Sequence, residues 1–252
     1  MFGKRILILV AHPDDESVAS AASILRARAD GAEISALYLT HGCVPREDMW
    51  AWQRKSYDIR TAIRRAEGEA AAEMLGLKPV GWSDRPARRL WRELPQVFAE
   101  VQAAVDALRP DQIWVPAYEG GNPDHDALNA VGAKLKGRAS VLEFAEYNFF
   151  GGKARSQSFF ASDETARTIE LTPAERAAKA AALALYRSEQ GNLSYVETER
   201  ETYRPLAAYN YAQPPHQGTL WYARFQWVPF RHPRVDFTNP ADVSAAITAF
   251  LS

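Results

Sequence analysis

Residues Ile6-Leu7-Ile8-Leu9-Val10 form a short apolar run that stops abruptly in Ala11-His12-Pro13-Asp14-Asp15-Glu16. The run is too short to cross a membrane and has the branched composition of a buried strand. Pro13 cannot continue a hydrogen-bonded ladder, so the strand ends near His12. Glu16 then opens an alanine-rich stretch with Val18, Ala22 and Leu25, and acids favour a first helical turn. Strand, tight turn and helix in that order place ligand-capable side chains at the carboxyl end of a strand, where open α/β sheets bind their ligands. No glycine-rich phosphate loop is present, and the acids would repel a pyrophosphate. Asp14 and Asp15 beside His12 repel one another unless a cation sits among them, for which a divalent metal is the simplest partner. The competing reading is an acidic helix start with a solvated turn histidine.

Beyond Gly31, which ends the first helix, Glu33 to Thr40 reads as a second strand running into His41. Val44 to Tyr57 is an irregular stretch of the kind that covers substrates. Ile59, Ile63, Ala66, Ala70 and Met74 predict an amphipathic helix over Asp58–Leu75, stopped by Gly76. Arg64 and Glu67 share a face of it. Val80 to Trp82 is a short strand ending at Asp84, Leu90–Leu108 a helix broken by Pro95 near its start, and Gln112–Pro116 a fourth strand. This alternation predicts an α/β fold, a three-layer α/β/α Rossmann-like arrangement with a mainly parallel sheet and extra C-terminal elements.

The fourth strand feeds Tyr118-Glu119-Gly120-Gly121-Asn122-Pro123-Asp124-His125-Asp126, with His125 opening the next helix. A histidine at a helix start beside acids suits a metal ligand whose ring is held by an outer carboxylate such as Asp124. Together His12, Asp15 and His125 make the three protein ligands of an open zinc site, although two nitrogens and a carboxylate also suit iron or another divalent ion. Val141–Tyr147 alternates like a strand, Ser158–Phe160 like an edge strand, and Thr172-Pro173 starts a helix through Leu185. Residues 203–230 are rich in aromatics and proline and are expected to cross the pocket mouth, with Tyr118 a further substrate contact.

These motifs resemble the LmbE-like, or PIG-L, zinc-dependent N-deacetylases, whose signatures are Ala-His-Pro-Asp-Asp-Glu and a later His-x-x-His. The first stands unaltered at Ala11 to Glu16; the second is Asn122-Pro123-Asp124-His125, with asparagine for the leading histidine. Arg64, Glu67, Ala71 and Leu75-Gly76 are similar to the family's Arg-x-x-Glu helix, and Asp84 sits where its short strand often ends. The resemblance covers about 5–137. It implies zinc on His12, Asp15 and His125, Asp14 as general base, Arg64 and Glu67 shaping the pocket, and removal of an N-acetyl or other N-acyl group from an amino-sugar-containing small molecule. Zinc lowers the pKa of a water and polarises the amide while Asp14 takes the proton. Asn122 donates a hydrogen bond but cannot deliver a proton near neutral pH. His216, on a loop flanked by prolines and a glycine, is the sequence's candidate for the missing acid. Two alternatives stay open: a metal-retaining but catalytically weak sugar-binding or regulatory protein, and an amidase acting on a larger sugar-thiol conjugate.

With 30 Lys plus Arg against 31 Asp plus Glu, the chain offers no electrostatic footprint for nucleic acid or an anionic membrane. The expected partner is a small amino sugar or glycoside, without membrane insertion, with a homo-oligomer possible. Cys43 is the only cysteine, which excludes an internal disulfide and suits a cytoplasmic protein. A single domain over 1–252 is expected, with the metal site in about 5–137 and completing helices, strands and covering loops in about 138–252.

Overall fold

The computed structural model describes residues 1–161 and 163–252. The strands are β1 (Arg5–Val10), β2 (Glu33–Tyr38), β3 (Lys78–Trp82), β4 (Gln112–Pro116), β5 (Ser140–Phe144), β6 (Tyr147–Asn148), β7 (Arg155–Ser156), β8 (Arg167–Glu170) and β9 (Arg200–Pro205). The helices are α1 (Asp15–Ala29), α2 (Tyr57–Leu75), α3 (Leu94–Leu108), α4 (Pro123–Lys134), α5 (Pro173–Leu185) and α6 (Pro240–Leu251). Seven strands form one sheet in the order β3-β2-β1-β4-β5-β9-β8. The first five are mutually parallel, β9 adds antiparallel to the β5 edge, and β8 adds antiparallel to β9. The chain runs outward from β1 to β3 and then returns to place β4 on the other side of β1. This reversal opens a crevice at the carboxyl ends of β1 and β4.

Alternation along β1 builds the three layers. Leu7, Leu9 and Ala11 pack with α3, α4 and α6 on one face, whereas Ile6, Ile8 and Val10 pack with α1, α2 and α5 on the other. The parallel sheet is thus covered on both sides, as expected from the βαβ alternation. Residues 5–137 supply β1 to β4, and residues 138–252 supply β5, β8 and β9 to the same sheet. No helix among the described residues is long and apolar enough to cross a membrane.

Several local expectations are corrected. The helix expected from Leu90 begins at Leu94 with Pro95 in its first turn, where the missing N–H costs nothing, and Leu90–Arg92 is a separate 3-10 turn. Ser158–Phe160 forms no strand; Arg155–Ser156 pairs with Tyr147–Asn148 instead. The α4 helix starts at Pro123, because Asn122 caps it by accepting the Asp124 N–H at 2.9 Å.

The largest correction concerns which face of α2 is buried. Ile59, Ile63 and Met74 are exposed, and the buried face carries Arg64, Gly68, Ala71, Ala72 and Leu75. Gly68 explains the approach: a Cβ there would lie 2.8 Å from the Trp82 ring and 3.1 Å from Pro13. The absent side chain lets α2 press against the turn after β1, which brings Arg64 to the crevice.

The α5 start is fixed by a reciprocal cap, Glu175 N–H to Thr172 Oγ1 at 3.3 Å and Thr172 N–H to Glu175 Oε2 at 2.8 Å. Arg26 of α1 pairs with the same carboxylate, its Nη2 donating at 2.7 Å. That hydrogen bond holds the Glu175 carboxyl down at about 2. Its stabilisation is full above the ordinary glutamate value of 4.5 and is lost as the pH falls towards 2. Glu175→Ala is therefore expected to cost about 1 kcal/mol at pH 7. Urea midpoints should show the gap to wild type shrinking between pH 4.5 and 2.5, and a gap independent of pH would refute the ionic contribution.

Candidate active site

The turn between β1 and α1 is held by its own acids. Asp15 Oδ2 accepts the His12 N–H at 2.7 Å, and Glu16 Oε2 accepts the Asp14 N–H at 3.2 Å. Asp14 occupies the N-cap position, makes no capping hydrogen bond, and has φ 144° and ψ −27°. A non-glycine residue held there stores on the order of 1–3 kcal/mol of strain, of the kind concentrated at functional sites. The reading of these acids as a simple helix cap is thus not what the backbone does.

His12 and His125 meet across the crevice from the ends of β1 and the start of α4. His12 Nε2 lies 3.0 Å from Asp124 Oδ2, which turns its Nδ1 towards His125 Nε2 at 3.3 Å. Asp15 completes a triangle, with Oδ2 3.5 Å from His12 Nδ1 and Oδ1 3.4 Å from His125 Nε2. A tetrahedral ion with metal–ligand bonds of about 2.0–2.1 Å spaces its ligand atoms by about 3.3–3.4 Å. The two imidazole nitrogens therefore stand at the separation a four-coordinate divalent ion requires, Asp15 presents one carboxylate oxygen to each of them, and all three residues are buried. Burial works against charge on these groups, and the pairings override it: Asp15 and Asp124 raise the His12 imidazole to about 10, and the two imidazoles hold the Asp15 carboxyl below the carboxylate range.

Asp124 anchors His12 rather than the neighbouring His125. Its other contacts are the Leu90 N–H, at 2.9 Å to Oδ1, and the Arg88 N–H. Facing His125 Nδ1 at 3.9 Å is Glu146, a residue not anticipated from the sequence. Both of its carboxylate oxygens are buried without a hydrogen-bond partner, and its N–H is fixed by Glu119 Oε1 at 2.8 Å. Burial and the surrounding acids push the Glu146 carboxyl well above its ordinary value.

Asp14 stands beside the triangle and pairs with Arg64, whose Nη2 lies 3.1 Å from Oδ2 and also donates to the Pro13 carbonyl. Burial raises the Asp14 carboxyl, and the Arg64 guanidinium opposes that rise. Glu189 backs Arg64 at 3.8 Å and Glu67 at 3.9 Å. Glu67 does not line the cleft; it accepts the Ser188 N–H at 2.9 Å and the Ser188 hydroxyl at 2.6 Å, and so fixes the segment that carries Glu189.

A cleft of about 1070 Å³ opens above these groups, walled by Val44 and Met49, by Ile59 and Ile63, by Tyr195, and by Trp221 to Phe225. The irregular 44–57 stretch and part of the 203–230 stretch do reach its mouth. The exposed isoleucines of α2 are accounted for by this wall. Asn122 lines the cleft with Tyr147, its Oδ1 committed to capping α4. Burial pushes the Tyr147 phenol well above its ordinary value, so it stays a neutral donor.

Three sequence candidates lie elsewhere. His216 packs edge-on between Phe150 and Phe160, with ring centroids 5.5 and 5.3 Å away, and its Nδ1 is 2.9 Å from the Gln217 carbonyl; it does not line the cleft. Tyr118 is core, its hydroxyl donating to the Gln213 carbonyl at 2.7 Å among Tyr209 and Tyr211. Asp84 lines a separate 130 Å³ cavity with His41 and Trp82 behind Pro13.

The sequence pattern of one family, described as PIG-L, GlcNAc-PI de-N-acetylase, matches residues 7–136. A curated relative from Geodermatophilus obscurus, 1D-myo-inositol 2-acetamido-2-deoxy-alpha-D-glucopyranoside deacetylase, is 30% identical over 152 residues, covering 51% of each chain. The chain thus spans about half the length of the curated relatives it matches. Among solved structures, a deacetylase from teicoplanin biosynthesis superposes with a TM-score of 0.62 at 17% identity, over 80% of this chain and 97% of that one. The zinc-inhibited form of teicoplanin deacetylase gives 0.59 at 18%, over 80% and 97%. At these identities the structural likeness is one of fold.

Proposed function

Because the chain belongs to the PIG-L family, we propose that it is a zinc-dependent hydrolase that removes an N-acetyl or other N-acyl group from an amino-sugar-containing small molecule. The observation that carries this reading is the cluster of His12 Nδ1 and His125 Nε2, 3.3 Å apart, with an Asp15 oxygen 3.5 Å from the first and the other 3.4 Å from the second, set beside a buried carboxylate, Asp14, that is not part of it. The activity named for the curated relatives, deacetylation of a 1D-myo-inositol 2-acetamido-2-deoxy-alpha-D-glucopyranoside, supports the substrate class.

His12, Asp15 and His125 would hold the zinc, which when bound would supply a Lewis acid to polarise the amide carbonyl and acidify water. Asp124 holds the His12 ring so that Nδ1 faces inward, and Glu146 faces the outer nitrogen of His125. Asp14 accepts the proton of the attacking water, and Arg64 fixes its carboxylate in place. As the C–N bond breaks, the same carboxyl returns the proton to the departing nitrogen, so that the products are a carboxylic acid and an amine, which ionise to carboxylate and ammonium. With no histidine at position 122 and His216 packed away from the cleft, Asp14 carries both transfers. Asn122 and Tyr147 contribute neutral hydrogen-bond donors on the opposite side.

The test is amine and acetate release from a panel of N-acetylglucosaminides by the zinc-loaded protein, with and without a chelator. Release that the chelator abolishes is the expected result. Bound zinc with no release from any N-acyl amino sugar would overturn the enzyme reading in favour of a binding protein.

A further inference from the structure

The cleft is electrostatically divided. Its floor carries Asp14, Asp15 and Glu146, and its mouth carries Arg60, Arg224 and Arg234. Arg64 and Arg88, deeper in, have acidic partners: Asp14 for the first and Asp236, at 3.5 Å, for the second. Arg224 has none among the described residues. It is half-buried, its guanidinium lies 4.0 Å above the Trp221 ring and 4.5 Å from the Phe225 ring, and its one hydrogen bond is from Nη1 to the Trp221 carbonyl at 2.6 Å. Burial depresses its basicity, with no carboxylate partner among the described residues to offset that. A guanidinium has five N–H donors in a fixed fork. Stacking between rings fixes the plane of this fork and leaves donors over for a ligand.

Its position relative to the reaction centre follows from ring contacts. Tyr147 lies edge-on to His125 with centroids 5.6 Å apart, and Trp221 is 5.1 Å from Tyr147. Tyr195 closes the wall, 4.9 Å from Tyr147 and 5.0 Å from Trp221. Trp221 is itself tied to the loop that precedes α4 by its N–H to the Gly120 carbonyl at 2.9 Å. An aromatic wall therefore runs from His125 through Tyr147 and Trp221 to Arg224. An N-acetylglucosaminide lying along it with its amide at the His12, Asp15 and His125 end extends its C1 substituent towards the guanidinium.

We infer that Arg224 is the anchor of an anion subsite that receives a carboxylate or phosphate carried on the substituent of the amino sugar. The inference rests on the amino-sugar reading for what bears the anion. The matching chemistry is a planar, bidentate, charge-assisted pair in a partly desolvated mouth, which arginine makes and lysine makes less well. Arg60 and Arg234 add positive potential around it.

Binding to the zinc-loaded full chain, followed by calorimetry and by tryptophan fluorescence at constant ionic strength, tests this with three probes: N-acetylglucosamine, its 1-phosphate and its carboxymethyl glycoside. At least one anionic probe is expected to bind about tenfold more tightly than the neutral sugar, which is 1.4 kcal/mol. The phosphate and carboxylate arms identify which anion the site prefers. In Arg224→Gln the ratio of anionic to neutral affinity is expected to fall to roughly twofold or less, with Arg224→Lys intermediate. Equal affinities in wild type, or a preference that survives both substitutions, would overturn the subsite. Acetate release measured on the same probes separates the two readings. Turnover without anion preference removes only the subsite, and anion preference without turnover removes only the deacetylase.

Discussion

Replacing His125 with alanine is expected to lower zinc affinity by more than the roughly 10–100-fold that loss of an outer-shell partner costs in metal sites. His125 Nε2 stands 3.3 Å from His12 Nδ1 and 3.4 Å from Asp15 Oδ1, and the two remaining protein ligands cannot enclose an ion as the three do. The α4 helix should survive, because its cap is the Asn122 side chain and its first turn contains Pro123. Competition against a chromophoric chelator gives the affinity directly. Unfolding with and without zinc gives it a second time, since a ligand at a hundred times its Kd stabilises the folded state by about 2.7 kcal/mol. Wild type should gain that increment and His125→Ala should not. Asp124→Ala is expected to fall in the smaller, outer-partner range, because Asp124 touches His12 Nε2 and not the triangle. Full zinc stoichiometry and unchanged affinity in His125→Ala would remove the proposed centre.

The stretches legible in the sequence are those in which local chemistry and topology agree. An apolar strand that halts at His12-Pro13 and a glycine-rich turn that delivers His125 to a helix start both sit at carboxyl ends of parallel strands, so a period and a proline were enough to place them. The helix over α2 was legible for the same reason, but its inward face was not. Counting isoleucines chooses the side that lines the cleft, whereas the buried side carries a paired arginine and a glycine that only the neighbouring Trp82 and Pro13 explain. The β9 strand escaped because its buried residues other than Tyr203 are polar: Glu201 is satisfied by Lys179 and Ser23, and Arg204 by Glu143 and Tyr209. A strand with one buried aromatic among paired charges has no apolar alternation to read. Glu146, Tyr147 and Arg224 reach the cleft through contacts over long sequence separation, and each resembles any other charged or aromatic residue in its own segment. His216 shows the converse. A proline-flanked histidine looks reactive in sequence, yet the loop folds it against Phe150 and Phe160.

Asp14→Asn is expected to retain zinc and to lose on the order of 10²–10⁴-fold in kcat, the contribution of a positioned general base. Asparagine tolerates a positive φ better than most residues, so the strained turn at φ 144° is preserved while the proton acceptor is removed. Arg64 keeps the Pro13 carbonyl, Glu67 and Glu189 after the exchange, which limits the cost of leaving a buried cation short of one partner. The pH profile separates loss of a base from displacement of that arginine. A base must be unprotonated, so kcat/KM in wild type falls as the pH drops through the Asp14 value, and this acid limb should be absent in Asp14→Asn. Burial raises that value and Arg64 lowers it, so Arg64→Gln, checked for folding, should move the limb to higher pH. A rate within tenfold of wild type in zinc-loaded Asp14→Asn would rule Asp14 out as the base. A limb that stays in place in Arg64→Gln would mean that a different group sets the acid side of the profile, and the candidate is Glu146, whose carboxyl has no hydrogen-bond partner among the described residues and lies 3.9 Å from His125 Nδ1.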